Sequence, residues 1–339
     1  MTGVTINRPA LFGMCAGAAA MTFVGSSVAV SSVLATAPLF TAQALRYALA
    51  CLLLLGFASL TGRRVTLPRG REWLWLIGVT VTGLLLFNVA LVRGSDHAEP
   101  AVFGVAVACV PLLLAVIGAM HQGRRPTRQV LIATVVVTAG AVLVQGLGRS
   151  DAAGIGWAVV VLGCEAGFTL FALPVLGRHG ALGISVHSTW LAAVGFAVIG
   201  LVTEGPSATG RLTVRELLAS GYLAVAVTAV AFMLWYTCVR TIGAGRAGLL
   251  TGIAPIAAAA VGVLLGGHPP QLLVWLGIAV VAAGLVIGLV GNGGEPMAEG
   301  GNGRKAGTSS DVPACLAMAD GEVSRRVPAS VRRSAGPGA

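Results

Sequence analysis

Charge is what this sequence has least of: charged residues make up 10% of the chain against 56% hydrophobic ones, and the mean hydropathy is +0.89. A soluble domain carries about a quarter charged residues, so composition alone argues against a water-soluble fold. Catalytic motifs are missing as well. The chain has no phosphate-binding Gly-rich loop ending in Lys-Ser/Thr, no His/Glu metal motif and no Asp-rich cluster at the end of an apolar run. ATP hydrolysis and metal-assisted catalysis therefore lack the residues that would carry them, and neither a metal nor a cofactor is expected. The six cysteines (Cys15, Cys51, Cys109, Cys164, Cys238, Cys315) form no Cys-x-x-Cys pair, which excludes a disulfide framework or a zinc site as the organising feature. A formal net charge of +10 would suit a nucleic-acid binder. The cations stand singly or in short clusters between apolar runs, however, and no basic face for nucleic acid is expected.

Long apolar runs are what the chain does have. The longest charge-free one, Ala247 to Gly294, lasts 48 residues, broken by little more than His268-Pro269-Pro270. A bilayer core of roughly 30 Å takes about 20 apolar residues per helix, so this run predicts two crossings joined by a tight turn. Reading the other runs in the same way predicts ten transmembrane helices. They span approximately Leu11–Val30, Pro38–Leu60, Glu72–Val92, Glu99–Met120, Gln129–Gly146, Ala153–Leu176, Ser185–Thr203, Glu216–Val239, Gly245–Gly266 and Gln271–Gly291. Arg8 followed by an apolar stretch imitates a signal peptide, but Ala10–Val30 is too long for its hydrophobic region. An uncleaved first helix is expected.

Arginine placement orients the bundle. Arg8, Arg63, Arg64, Arg69, Arg71, Arg124, Arg125, Arg128, Arg178, Arg240 and Arg246 collect at one end, against Arg93, Arg149, Arg211 and Arg215 at the other. Eleven against four is a positive-inside bias. It predicts a multi-pass protein of the plasma (inner) membrane with both termini cytoplasmic. Residues 292–339 are rich in Gly, Ser and Pro without apolar periodicity, and a disordered cytoplasmic tail is expected there.

The ten helices halve into a repeat. Pro111 and Pro255 stand 144 residues apart, each inside a small-residue helix, and Ala139-Gly140 and Ala283-Gly284 keep that spacing. Asn88 to Arg93 before the first of these helices answers to Trp235 to Arg240 before the second. Five crossings per half is an odd number, so the halves insert in opposite senses. Inverted repeats of this kind characterise secondary transporters, whose substrate site lies near mid-membrane at the repeat interface. The expected fold is therefore an all-α integral membrane protein of two inverted five-helix repeats, residues 11–147 and 153–291, after a cytoplasmic N-terminus of residues 1–10.

The chain resembles the EamA-type transporters of the drug/metabolite transporter superfamily. The resemblance rests on Arg46-Tyr47-Ala48-Leu49-Ala50, on the helices with central Pro111 and Pro255, and on the polar turns Gly123 to Gln129 and Gly266 to Gln271. It covers roughly residues 10 to 291. Arg124 and Gly267 stand where the family often has Glu, so no role is carried over for that carboxylate. The resemblance implies movement of a small organic solute (a metabolite, an amino acid or a drug-like compound), often outward and proton-coupled, by alternating access. The other classes weighed are a membrane-embedded enzyme and a channel. Oligomeric state is left open by the sequence.

Two charges lie well inside predicted helices, where each costs about 2.5–3.5 kcal/mol on insertion scales. At 1.5 Å per residue, Arg46 is about 12 Å into the second helix and Glu165 about 18 Å into the sixth. Glu165 is expected to carry a coupling proton or to bind a cationic group, and Arg46 to face an anionic group of the substrate. The alternative is a structural ion pair between them. Trp235, Tyr236 and Trp190 are candidates for a cavity wall or, at helix ends, for interfacial anchors. His187 is a candidate proton relay, while His121, His179 and His268 fall in turns and read as solvated. Pro111 and Pro255 are candidate kinks, since proline frees a backbone carbonyl one turn back.

Overall fold

In the computed structural model the described residues are 8–34, 37–121, 123, 125–146, 148–264 and 271–290. The tail, His268 and the residues at positions 124 and 267 lie outside them. Among the described residues ten helices are long and apolar enough to cross a membrane: α1 (Arg8–Ser27), α2 (Leu39–Leu60), α3 (Glu72–Gly94), α4 (Pro100–His121), α5 (Arg128–Gln145), α6 (Ala152–Leu170), α7 (Leu173–Thr203), α8 (Val214–Ile242), α9 (Ala244–Val261) and α10 (Leu272–Leu289). The described residues contain no strand, only an isolated bridge between Ala98 and Ser150.

Polar residues start several of these helices by capping free amides. Thr127 Oγ1 accepts from Val130 N at the start of α5, and Asp151 Oδ1 accepts from Gly154 N at 2.8 Å at the start of α6. Thr213 and Glu216 form a reciprocal capping box on α8, which satisfies donors that the helix itself leaves unpaired.

Neighbouring helices run in alternate directions, as side-chain contacts at the two ends show. At the Arg-rich end Arg178 pairs with Glu72, while at the Arg-poor end Ser26 bonds Tyr222 and Glu204 meets Phe40. The packing pattern then repeats across the halves. Helix α1 lies against α8 and α9, and α6 lies against α3 and α4; α2 packs on α7, α4 on α9, and α5 on α10. Gly13 and Gly17, a small-xxx-small pair, seat α1 against Thr241 and Cys238 of α8, the use such spacing commonly has in membranes.

The α5–α10 seam carries the repeat down to atoms. A methyl on Gly140 would meet Val281 N at 2.7 Å and the Gly277 carbonyl oxygen at 2.9 Å. One on Gly284 would meet Val137 N at 2.9 Å and the Ala133 carbonyl oxygen at 3.2 Å. Residues 277 and 281 stand 144 positions after 133 and 137, so the two contacts exchange under the repeat. Only a residue without Cβ lets the backbones come this close.

Irregularities repeat too. Helix α3 has a π-helical segment at Val81–Leu86 and α8 one at Leu223–Val230. Helix α4 breaks at Cys109, two residues before Pro111, and α9 tightens to a 3-10 turn at Leu250–Gly252 ahead of Pro255. Each break sits where the proline removes an amide from the backbone ladder.

Helix α7 departs from the sequence expectation. It was expected to begin at Ser185, but it starts at Leu173, after a two-residue turn from α6, and bends at Gly180, with φ +64°.

Candidate functional site

Arg46 sits seven residues into α2, beside the lipid-facing residues Leu45, Leu49 and Leu52. Its head nevertheless turns inward. Nε donates to Thr228 Oγ1 at 2.9 Å and Nη1 donates to Gln43 Oε1 at 3.3 Å, while the guanidinium carbon lies 5.1 Å from the Tyr47 ring centre. Gln43 Nε2 donates to Asn88 Oδ1 at 2.7 Å, and Asn88 Nδ2 donates to the Leu84 carbonyl at 2.6 Å. Leu84 and Thr228 belong to the two π-helical segments, a distortion frequent at functional sites. A line of polar groups thus crosses the bundle from α3 through α2 to α8.

Glu165 lies about 20 Å along α6 from its capped start, at 1.5 Å per residue. Beyond the first turn of α6 the exposed residues (Ile155, Gly156, Val159 and Gly163) form one stripe, and Glu165 shares the opposite side with Gly154, Ala158, Val161 and Phe168. It therefore faces the bundle interior, where it is half-buried. Among the described residues the ion pairs are His97–Asp151, Arg149–Glu99, Arg178–Glu72 and His179–Glu72, so none joins Arg46 to Glu165. The two interior charges stand apart.

Trp235 and Tyr236 are core residues. Trp235 Nε1 donates to Thr169 Oγ1 at 3.0 Å, and the Tyr236 hydroxyl, with the residue 0% exposed, donates to the Phe168 carbonyl at 3.2 Å. The Phe168 ring lies 5.2 Å from that of Tyr236 and 4.9 Å from that of Phe232. Both polar atoms are spent on α6, one turn from Glu165. Pro111 and Pro255 are buried in α4 and α9, just past the breaks described above.

The remaining two candidates sit elsewhere, at the Arg-rich end. His187 is buried; its Nε2 lies 2.9 Å from the Thr66 carbonyl, and its Nδ1 accepts from Trp190 Nε1 at 3.2 Å. An indole nitrogen only donates, so Nδ1 is the bare nitrogen and Nε2 carries the proton. Trp190 is half-buried, with its ring edge-on to Trp73. His179 corrects the solvated-turn expectation: its side chain is 0% exposed, 3.2 Å from Glu72 Oε2 and 3.0 Å from Thr66 Oγ1. Partners within the fold replace the water that a turn position suggested. His121, the last residue of α4, is exposed as expected.

At the Arg-poor end an open recess of about 580 Å³ is lined by residues from Ser95 to Pro100 and from Arg149 to Asp151. The Arg149 guanidinium, bonded to Glu99 at 2.8 Å, holds that carboxyl below its ordinary range. The Gly154 amide, followed by His97, does the same for Asp151. These are capping and surface pairs, away from the interior charges.

The groups that sequence reading missed are Gln43, Asn88, Thr228 and Glu72. A helical i, i+3 spacing from Arg46 was the available signal for Gln43. Thr228 had none, because a threonine in an apolar helix usually bonds its own backbone.

Comparison with known proteins agrees with this architecture. A transporter of Bacillus subtilis (strain 168), "Uncharacterized transporter YetK", is 26% identical over 290 residues, covering 80% of this chain and 85% of its own. A protein of Streptantibioticus cattleyicolor described as a "probable terminal-alkyne amino-acid exporter" is 24% identical over 223 residues, 65% of this chain and 74% of its own. A solved crystal structure shares the fold with a TM-score of 0.70 at 17% identity, over 81% of this chain and 96% of that one. Residues 11–145 and 152–290 each match the EamA-like transporter family. With both halves of its membrane region matched, the chain belongs to that family.

Proposed function

We propose that this transporter exports a small organic solute bearing a carboxylate and an amine, by alternating access, with Glu165 as the carboxylate that exchanges protons with the gradient. One observation carries the reading: opposite charges on α2 and α6 turn into the same bundle and leave each other unpaired. Each costs about 2.5–3.5 kcal/mol in hydrocarbon, and mutual neutralisation would be the cheap arrangement. A pathway that brings its own charges offers the alternative: a substrate carboxylate for Arg46, and a substrate ammonium or a proton for Glu165. An amino-acid-like solute carries both groups. The name of the Streptantibioticus relative, which describes an amino-acid exporter, supports the same class and direction. The activity is transport without catalysis. The arginine bias supports a plasma-membrane location with both termini cytoplasmic.

The test is efflux from proteoliposomes loaded with the twenty proteinogenic L-amino acids and L-propargylglycine, an amino acid ending in a terminal alkyne, and read by mass spectrometry. Under a proton gradient the wild type should release at least one of these solutes faster than empty vesicles do. Glu165→Gln should abolish the gradient-driven part while leaving exchange of labelled for unlabelled solute. No amino acid released by the wild type overturns the substrate class, and full gradient-driven efflux by Glu165→Gln overturns the coupling role.

A further inference from the structure

We infer that Gln43 and Asn88 are positioning residues that hold the Arg46 guanidinium in the transport pathway and thereby set how tightly a substrate carboxylate is bound. This rests on the reading of Arg46 as the anion-recognising residue. An arginine about 10 Å from a helix end, as 1.5 Å per residue places Arg46, ordinarily extends along the lipid to reach the interface. Here the lipid-facing neighbours Leu45 and Leu49 leave that route open, yet the head is turned inward onto Gln43 and Thr228.

The chain of bonds that holds it has a fixed polarity. Arginine only donates, so the Gln43 carbonyl oxygen must face Nη1. The Gln43 amide nitrogen must then face Asn88 Oδ1, and the Asn88 nitrogen the Leu84 carbonyl. Each amide is locked in one orientation by the next, and the last acceptor is a backbone carbonyl inside the π-helical segment of α3. Gln43 is buried at 6% exposure, so no solvent can substitute for Asn88. Arg46 donates one N–H to Thr228 and one to Gln43, which leaves three of its five N–H groups for an anion. Asn88 bonds Gln43 and the Leu84 carbonyl rather than the guanidinium, and so acts through Gln43. Removing it frees Gln43 to rotate and Arg46 to swing toward lipid.

The experiment measures KM and maximal efflux rate in proteoliposomes for L-propargylglycine and for but-3-yn-1-amine, the same molecule without its carboxylate. Asn88→Ala should raise KM for the amino acid about tenfold, the scale of a lost charge-assisted contact, with the maximal rate within about twofold. KM for the amine should not move. Thr228→Val, nearly isosteric and removing the other hold on the guanidinium, should show the same split, which guards against a folding defect of Asn88→Ala. An unchanged KM in Asn88→Ala, or equal rises for acid and amine, overturns the positioning role. If Arg46→Gln also leaves KM for the acid unchanged, the anion-recognising reading of Arg46 fails. If Arg46→Gln raises KM and Asn88→Ala does not, only the positioning role falls. Absence of efflux of both compounds by the wild type overturns both.

Discussion

The halves meet along two kinds of contact that obey opposite rules. Along α5 and α10 the glycine approaches have their images: Gly140 on Val281 and Gly277, Gly284 on Val137 and Ala133. Between α2 and α8 the contact is Arg46 on Thr228, whereas the corresponding contact of α7 on α3 is Trp190 against Trp73 and His179 against Glu72. The backbone repeats and the polar side chains do not. A scaffold needs only shape, which two copies of one five-helix pattern supply. A solute with distinct ends needs distinct groups, which a symmetric centre could not offer.

The largest expected effect tests the reciprocity of the seam. Gly140→Leu and Gly284→Leu should each remove folded protein from the membrane, because the new side chain meets backbone rather than a movable side chain. The matching Gly→Ala changes should each lower stability by about 1–3 kcal/mol, and by similar amounts. Thermal unfolding of the purified variants checks this, and one half tolerating what the other does not would break the symmetry. Next comes the centre. Glu165→Gln should accumulate and unfold like the wild type while losing gradient-driven efflux, so its effect is on rate alone. Smaller still, Trp235→Phe should cost about 1 kcal/mol of stability for the lost bond to Thr169, read as a lower unfolding temperature. Smallest is Arg149→Gln at the Arg-poor end. Glu99 is held below its ordinary 4.5 by Arg149, so the pair favours the folded state above the ordinary carboxylate range. That help fades as pH falls through the lowered value. Wild type and variant should therefore differ slightly, as expected of an exposed pair, above that range and converge in acid.

How much of this was legible in the sequence differs between the same two regions. Run length predicted ten crossings, and the spacing of Pro111 from Pro255 and of Gly140 from Gly284 predicted the repeat whose seam the structure shows. Hydrophobicity is a property of composition, so it reads directly. The π-helical segments of α3 and α8 left no mark, because an extra residue in a turn needs no particular side chain. The start of α7 was misplaced by the polar residues Ser185 and His187, which read as an interface until Thr66 and Trp190 were seen to satisfy the histidine. Arg46 and Glu165 stood out by charge alone, but the direction in which each faces follows from packing. That the two remain unpaired is a three-dimensional fact.

The two-residue turn after Leu170 leaves α6 and α7 little slack. Even fully extended, the three steps from Leu170 to Leu173 span at most about 11 Å, and the amides of Phe171, Val175 and Leu176 bond back to Gly167 and Ala172, so the lower end of α6 cannot move far without pulling α7 along. At its far end α7 is fastened as well, since both Glu204 oxygens accept the Phe40 and Thr41 amides that open α2. The helix carrying the interior carboxylate and the helix carrying the interior guanidinium are thus joined in series through α7, and a displacement of one loads the other.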